Sequence, residues 1–184
     1  MAGILLNSLF ATTPNTDSWH KIAPMPIGVF FASGSQVNHQ YVVTGGVTGN
    51  GPTGSAIQVL NLDTLTWEIA GQLPTDRFAH AQCTLADGRI LIASGRSGNL
   101  ADMPSLTWLK DAWLWDSTTH QFTPLPDLSR KSRGPSAHTL PNGQTVVITE
   151  DTAHLLSADA TQWEALIQLK ATRIDHDAVA VTDH

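Results

Sequence analysis

The fold is decided by the stretch Arg77–Leu125, which reads RFAHAQCTLADGRILIASG over residues 77–95 and DAWLWDSTTHQFTPL over residues 111–125. Two apolar runs meet at Asp87-Gly88, a dipeptide whose tolerance of positive φ suits a tight hairpin. Two further runs flank Asp116–His120, a polar turn whose Asp, Ser and Thr side chains can bond nearby backbone amides. The stretch therefore predicts four short consecutive strands.

The same layout recurs along the chain. Aromatic residues stand just ahead of an apolar-proline step at Trp19, Trp67 and Phe122, and Trp163 takes the same place without the proline. These four aromatic residues are 48, 55 and 41 residues apart, close to the roughly 50-residue period of kelch-type units. The spacing predicts a repeat protein.

Each unit is predicted to contain four strands joined by polar turns. First strands are predicted at Phe30–Val37, Ala79–Leu85 and Ser136–Leu140. Second strands are predicted at Tyr41–Thr44, Ile90–Ala93 and Thr145–Ile148, and third strands at Ala56–Leu62, Asp111–Asp116 and Ala153–Ser157. Fourth strands begin at or near the aromatic residue. No stretch has a sustained helical period, so the pattern predicts an all-β chain and, among all-β folds, a β-propeller.

The unit resembles the kelch repeat, in the form found in bacterial kelch and galactose-oxidase-like proteins. The residues that carry the resemblance are Gly45-Gly46, Trp67, Arg77, His80 and the run Asp87–Ile92. The resemblance extends over nearly the whole chain from about residue 19, with departures. Ser94-Gly95 and Thr149-Glu150 replace the double glycine, and Leu60 stands where the family has an aromatic residue.

We predict one propeller segment over residues 1–184, with three complete blades at about 28–74, 77–126 and 133–169. Partial blades are predicted at 1–26, with strands at Ile4–Leu9 and Trp19–Ala23, and at 172–184, with a first strand at Thr172–Val181. Three arrangements fit this count: a fragment of a six- or seven-bladed ring, two copies joined head to tail, or an open arc. The open forms expose a strand edge and an apolar blade face, so we expect self-association.

Composition narrows the classes of partner. The 184-residue chain is 41% hydrophobic with a formal net charge of −6, which suits a packed domain and disfavours nucleic acid as a partner. Its single cysteine, Cys83, excludes an intramolecular disulfide and a multi-cysteine zinc site. The apolar patch within Met1–Ala11 has no basic residue ahead of it and is too short for a membrane span, so we interpret it as a strand. The sequence predicts no particular compartment.

Six residues are predicted to contact a ligand. Arginine recurs near the start of units, and several arginines at one end of a propeller channel would suit carboxylate or phosphate ligands. The alternative is that each arginine makes a structural bond to a neighbouring carbonyl or acid. The long loop Arg96–Lys110 carries Leu106, Trp108 and Leu109, which either form an apolar anchor for a partner or pack back on the blade. The predicted ligand-binding residues are Arg77, Arg96, Trp108, Leu109, Arg133 and Arg173.

The sequence predicts no catalytic residue, metal site or cofactor. His80, His138 and His176 fall in first strands, but no His-x-His or i, i+4 spacing fixes a metal site. Galactose-oxidase-like copper chemistry implies two tyrosines, and the chain has only Tyr41. The resemblance therefore implies a binding module for a protein or carbohydrate ligand. The competing hypotheses are a fragment of a galactose-oxidase-like or sialate-epimerase-like enzyme whose active residues lie partly elsewhere, and a purely structural propeller fragment.

Overall fold

The fold was obtained as a computed structural model, which describes residues 10–13, 16–173 and 176. In chain order the strands are β1 Phe10–Thr13, β2 Thr16–Lys21, β3 Val29–Phe30, β4 Ser33–Val37, β5 Gln40–Thr44, β6 Val47–Thr48, β7 Ala56–Asn61, β8 Thr66–Gln72, β9 Ala81–Thr84, β10 Ile90–Ala93, β11 Arg96–Ser97, β12 Thr107–Trp108, β13 Ala112–Trp115, β14 Phe122–Leu125, β15 Ser136–Thr139, β16 Thr145–Ile148, β17 Thr152–Leu156 and β18 Trp163–Gln168. One 3-10 segment, Met103–Ser105, is the helical part of the described chain, and none of the described helices has the length and apolar character that a membrane crossing requires.

The strands form three four-stranded antiparallel sheets. Sheet 1 has the order β4-β5-β7-β8, sheet 2 the order β9-β10-β13-β14, and sheet 3 the order β15-β16-β17-β18. Three two-stranded pairs, β1-β2, β3-β6 and β11-β12, accompany them. The prediction of an all-β chain built from consecutive four-stranded units is confirmed for the described residues.

The hairpin turns form where the sequence places glycine or a short polar residue. Gly88 has φ +88° and its N–H donates to the Leu85 carbonyl at 3.0 Å. In sheet 3, Gly143 has φ +84° and donates to the Leu140 carbonyl at 2.8 Å. Between β13 and β14, Asp116 Oδ1 accepts bonds from the amides of Thr118 and Thr119, as expected for a polar turn.

The three sheets are joined face to face by two buried clusters, with sheet 2 in the middle. Successive side chains of a strand point to opposite faces, and β10 uses both. Ile90 and Ile92 pack towards sheet 1 with Val42 and Ile57, whereas Leu91 and Ala93 pack towards sheet 3 in the cluster that contains Val147. All four β10 side chains are fully buried, and burying each of the three larger ones, Ile90, Leu91 and Ile92, contributes about 1.5–3 kcal/mol.

The first strands of the three sheets lie side by side, with β9 in contact with both β4 and β15. The same bond recurs across both contacts: Thr84 Oγ1 donates to the Gln36 carbonyl at 2.7 Å, and Thr139 Oγ1 donates to the Thr84 carbonyl at 2.6 Å. The sheets are therefore stacked through equivalent strands in a repeating register.

The predicted ends of the chain differ from the structure or lie outside it. The expected strand at Trp19–Ala23 is β2 Thr16–Lys21, which pairs with β1, and the expected strand at Ile4–Leu9 lies outside the described residues. Most of the expected strand Thr172–Val181 also lies outside them. The first strand of sheet 1 begins at Ser33 rather than Phe30, because Phe31 has φ +55° and interrupts the extended backbone.

Candidate functional site

One end of the three sheets is formed by the connections from second to third strands and from one sheet to the next. We call this end the loop face and define it by residues 22–32, 45–55, 73–80, 94–111, 126–135 and 149–151. The strand order of the sheets places these connections together, whereas the hairpins at Asp87-Gly88 and Asn142-Gly143 lie at the other end. Five of the six predicted ligand residues belong to the loop face. The sixth, Arg173, follows sheet 3.

The long loop of sheet 2 is fixed by backbone bonds to the neighbouring loop of sheet 1. Thr53 N donates to the Gly98 carbonyl and Leu100 N donates to the Gly51 carbonyl, both at 2.9 Å. Within the long loop, β11 pairs with β12, so that Arg96 lies opposite Trp108. Hydrogen bonds therefore hold the long loop in place as part of the loop face.

Arg77 belongs to a loop-face segment, but its side chain is fully buried. Its Nη1 and Nη2 atoms bond the two carboxylate oxygens of Asp111 at 3.2 and 2.7 Å, and Nη1 also bonds the Ser94 carbonyl at 3.0 Å. Trp113 Nε1 donates to the same carboxylate at 2.7 Å. The guanidinium has no exposed surface for a ligand, so its contacts match the structural alternative.

Arg96, Trp108 and Arg133, predicted from separate parts of the sequence, come together in one stack. The guanidinium carbon of Arg96 lies 4.3 Å from the Trp108 ring centroid, and that of Arg133 lies 5.3 Å from the same centroid. Arg96 also lies 5.6 Å from the Phe78 ring centroid. Each distance is within the range of a cation–π interaction, so two cations share one indole.

The stack continues into sheet 1 through aromatic rings. The Phe31 and Phe78 rings are 6.3 Å apart, and the Phe30 and Phe31 rings are 5.3 Å apart. Phe31 is 52% exposed despite its size, and its φ of +55° is unusual for a bulky residue. The Ala79 N–H, which donates to the Phe31 carbonyl at 2.8 Å, holds this conformation.

The remaining predicted residues are placed around the stack. Leu109 is half-buried, and its N–H donates to the Gly95 carbonyl at 2.9 Å. Glu150 connects Arg133 and Arg173 through their backbones: its Oε1 accepts from Arg133 N at 3.1 Å and its carbonyl from Arg173 N at 2.7 Å. Both arginines are exposed. Trp108, for which the sequence left an apolar anchor and packing back on the blade as alternatives, has the guanidinium groups of Arg96 and Arg133 over its ring.

The opposite environments of Arg77 and Arg133 follow from a shift of one residue. Thr84 and Thr139 make equivalent bonds, and the residues seven positions before them are Arg77 and Ser132. Ser132 is buried, at 1% exposure, so the buried position of the third unit holds a serine. Arg133 comes one residue later in the sequence, and its side chain is exposed to solvent.

A second polar region lies along the first strands of the three sheets. A groove of about 560 Å³ is lined by residues of β4, β9 and β15, and by all three histidines that the sequence places in first strands: His80, His138 and His176. Among the residues that the structure describes, no group of three or more His, Cys, Asp and Glu side chains is arranged to hold a metal ion.

His80 belongs to a hydrogen-bonded chain in this groove. Gln82 Nε2 donates to the Val42 carbonyl, so its Oε1 accepts from the Thr44 hydroxyl at 2.5 Å. The Thr44 oxygen must then accept from His80 Nε2, at 2.8 Å, which fixes the tautomer. Burial, together with the charge of Arg77, lowers the pKa of His80 to about 3, so the ring is neutral at physiological pH.

Sequence reasoning missed three residues of the loop face. Phe31 and Phe78 join the stack from neighbouring units, and Met103, on the 3-10 segment of the long loop, is 62% exposed. Phe78 directly follows Arg77 in the segment that carries the kelch resemblance, and that adjacency was the available signal. No such signal exists for Phe31, because its exposure depends on backbone conformation.

Comparison with known proteins adds no family to these observations: no protein-family model matches the chain, and no curated protein matches it.

Proposed function

We propose that the chain is a kelch-type propeller segment that acts as a protein-interaction module and binds a segment of a partner protein on its loop face. Three features support the propeller arrangement: the sequential strand order of each sheet, the side-by-side first strands and the face-to-face packing of the sheets. In such an arrangement the loop face is one end of the propeller, where long loops on a rigid scaffold carry recognition.

The observation that carries the proposal is the exposure of Phe31 and Met103 on loops that are held in place. Phe31 is 52% and Met103 62% exposed, and phenylalanine and methionine are enriched at protein interfaces relative to the rest of the surface. The backbone bonds of Gly51, Thr53 and Gly98 hold the long loop that carries Met103, and the bond from Ala79 N to the Phe31 carbonyl holds Phe31; both reduce the entropy lost on association.

A protein partner agrees with this surface better than a carbohydrate does. A sugar that stacks on tryptophan needs an open ring face, and the guanidinium groups of Arg96 and Arg133 both lie over the Trp108 ring. Methionine adapts to irregular apolar partners, which suits Met103 to contact with a peptide.

The test uses a displayed library of random dodecapeptides, selected on the whole chain. Selected peptides are then measured against the double variant Phe31→Ser/Met103→Ser. The matched control is Ile69→Ser/Ile167→Ser, which removes two side chains of similar exposure, 53% and 50%, from the outer strands β8 and β18.

We expect the loop-face variant to weaken binding about tenfold or more, the effect of losing a hot spot, and the control to leave binding within about twofold. Fluorescence anisotropy with labelled selected peptides measures both. Equal loss in the two variants, or failure to select any peptide, would contradict the proposed function.

A further inference from the structure

We infer that the partner segment is acidic and that Arg133, held over the Trp108 ring, binds one of its carboxylates. This inference rests on the proposed function and specifies the chemistry of the partner. It starts from one cluster on the loop face, the guanidinium groups at the Trp108 ring. The chain has a formal net charge of −6, yet two guanidinium groups share one indole on this face.

Arg133 differs from three other arginines of the chain, whose guanidinium groups are paired with carboxylates. Arg77 bonds Asp111, Arg89 bonds Asp87 and Arg130 bonds Asp151. Arg133 is exposed, and within the described part of the chain its side chain contacts the Trp108 ring and no acid. Its guanidinium donors therefore face solvent and can bind an external anion.

The position of Arg133 is prepared in advance by two contacts. Its backbone N–H donates to Glu150 Oε1 at 3.1 Å, and its guanidinium carbon lies 5.3 Å from the Trp108 ring centroid. A guanidinium that stacks on an aromatic face keeps its in-plane N–H edge available, and that edge matches a carboxylate in a bidentate pair. Less side-chain freedom is then lost when the carboxylate binds.

The charge of Arg133 favours a carboxylate over a neutral amide. A hydrogen bond between a guanidinium and a carboxylate is charge-assisted and is about twice as strong as a bond between neutral groups. The Arg96 guanidinium lies 4.3 Å from the Trp108 centroid and also contacts Phe78, so it is engaged within the stack. The exposed edge of Arg133 therefore favours an acidic side chain over an amide of the same shape.

The exposed apolar groups on the same face define the rest of the partner. Phe31 joins the stack at its sheet 1 end through Phe78, and Met103 lies on the long loop that carries Trp108. The surface thus fits a peptide that combines a carboxylate with apolar residues. A nucleic acid supplies phosphates instead, but many of them would meet a chain of net charge −6, so we commit to the acidic peptide.

The experiment compares dodecapeptides selected from the displayed library by the native chain and by Arg133→Gln at low salt. One enriched peptide is then synthesised with its Asp and Glu residues kept and with each changed to Asn or Gln, and affinities are measured by fluorescence anisotropy. The matched control is Arg89→Gln, at the hairpin on the opposite end of sheet 2. A labelled oligothymidylate with the same net charge as the acidic peptide is measured in parallel, to test whether the surface prefers phosphates.

We expect the native chain to select acidic peptides and Arg133→Gln to lose that enrichment. The native chain should bind the acidic peptide about tenfold more tightly than its amide version. Arg133→Gln should bind the acidic peptide about tenfold more weakly than the native chain does, and Arg89→Gln should bind it with unchanged affinity. Arg133→Lys should restore part of the affinity, because lysine keeps the charge but loses the bidentate geometry.

Three results would overturn the inference: no acidic enrichment, equal affinity for the acidic and amide peptides, or tighter binding of the oligothymidylate. In the first two cases, selected peptides that still depend on Phe31 and Met103 would leave the proposed function intact. Failure to select any peptide would overturn both proposals.

Discussion

At the scale of single residues, the buried pair of Arg77 and Asp111 is the contact on which the middle of the molecule depends. A guanidinium out of water is costly unless it is paired, and Asp111 supplies two bonds to Arg77 and accepts a third from Trp113. Removing the carboxylate would leave the Arg77 charge buried without compensation.

We predict that Asp111→Ala lowers the free energy of unfolding by about 3–5 kcal/mol, the usual cost of breaking a buried pair by removing one partner. The control is Asp127→Ala, which breaks the Lys110–Asp127 pair. Both side chains of that pair are about half exposed, at 49% and 51%, so the expected loss is about 0–1 kcal/mol. Urea denaturation followed by tryptophan fluorescence measures both values. Similar losses in the two variants would show that Asp111 is not a buried structural partner.

The surroundings of Arg77 and Arg133 also show what the sequence could not predict at this scale. Both were predicted as ligand residues because arginine recurs near the start of units. Arg77 is buried and Arg133 exposed because Arg133 lies one residue closer to the equivalent threonine of its unit. This difference is visible only when Thr84 and Thr139 are seen to make the same bond. The contact between Trp108 and Arg133 joins two loops separated by strands β13 and β14, so no local pattern indicates it.

At the scale of elements, the long loop of sheet 2 depends on Gly98, whose backbone conformation leaves no room for a side chain. Gly98 has φ +118°, and a Cβ atom there would lie 2.6 Å from the Ser105 carbonyl oxygen. Gly98 also accepts the bond from Thr53 that joins the two loops. The position of Trp108 opposite Arg96 therefore depends on a glycine ten residues before it.

We predict that Gly98→Ala destabilises the loop by about 1–2 kcal/mol or more, the cost of a left-handed conformation for an L-residue, and raises hydrogen exchange across residues 96–110. Peptide binding on the loop face should weaken in parallel. Gly49→Ala is the control, because Gly49 lies in the neighbouring loop with open space around its Cβ position and no positive φ. Unchanged exchange in Gly98→Ala would mean that the loop does not depend on this conformation.

Strands were the most predictable elements, because apolar runs and turn dipeptides are local signals. The four-strand pattern of Arg77–Leu125 is confirmed as β9, β10, β13 and β14, and its turn at Asp87-Gly88 forms as expected. The two-residue strands β3, β6, β11 and β12 were not predicted, since two residues carry no period. They exist because segments about 10 to 20 residues apart in the sequence pair within one unit, β3 with β6 and β11 with β12, which no local pattern indicates.

At the scale of the whole molecule, sheet 2 is the only described four-stranded sheet with a neighbouring sheet on each face. Its strand β10 packs against a four-stranded sheet on both faces. Val42 of β5 packs towards sheet 2, whereas Val43 packs on Met25 and Val29 of the preceding segment, and β16 lies in the outer sheet 3. In a stack of this kind each unit is stabilised by its own bonds and by its neighbours, so units with one neighbour open at lower free energy. All three strands are hydrogen-bonded on both sides and can be compared directly.

We predict that in dilute solution the amides of β10 exchange at least about tenfold more slowly than those of β5 and β16, because opening sheet 2 breaks two interfaces. If copies associate through their outer sheets, as the sequence led us to expect, protection of β5 and β16 rises with concentration together with the mass from light scattering. Protection of β10 should change least and serves as the internal reference. Equal protection of all three strands in a particle of one-chain mass would contradict both the stacking argument and self-association, because no second copy would then account for the protected outer sheets.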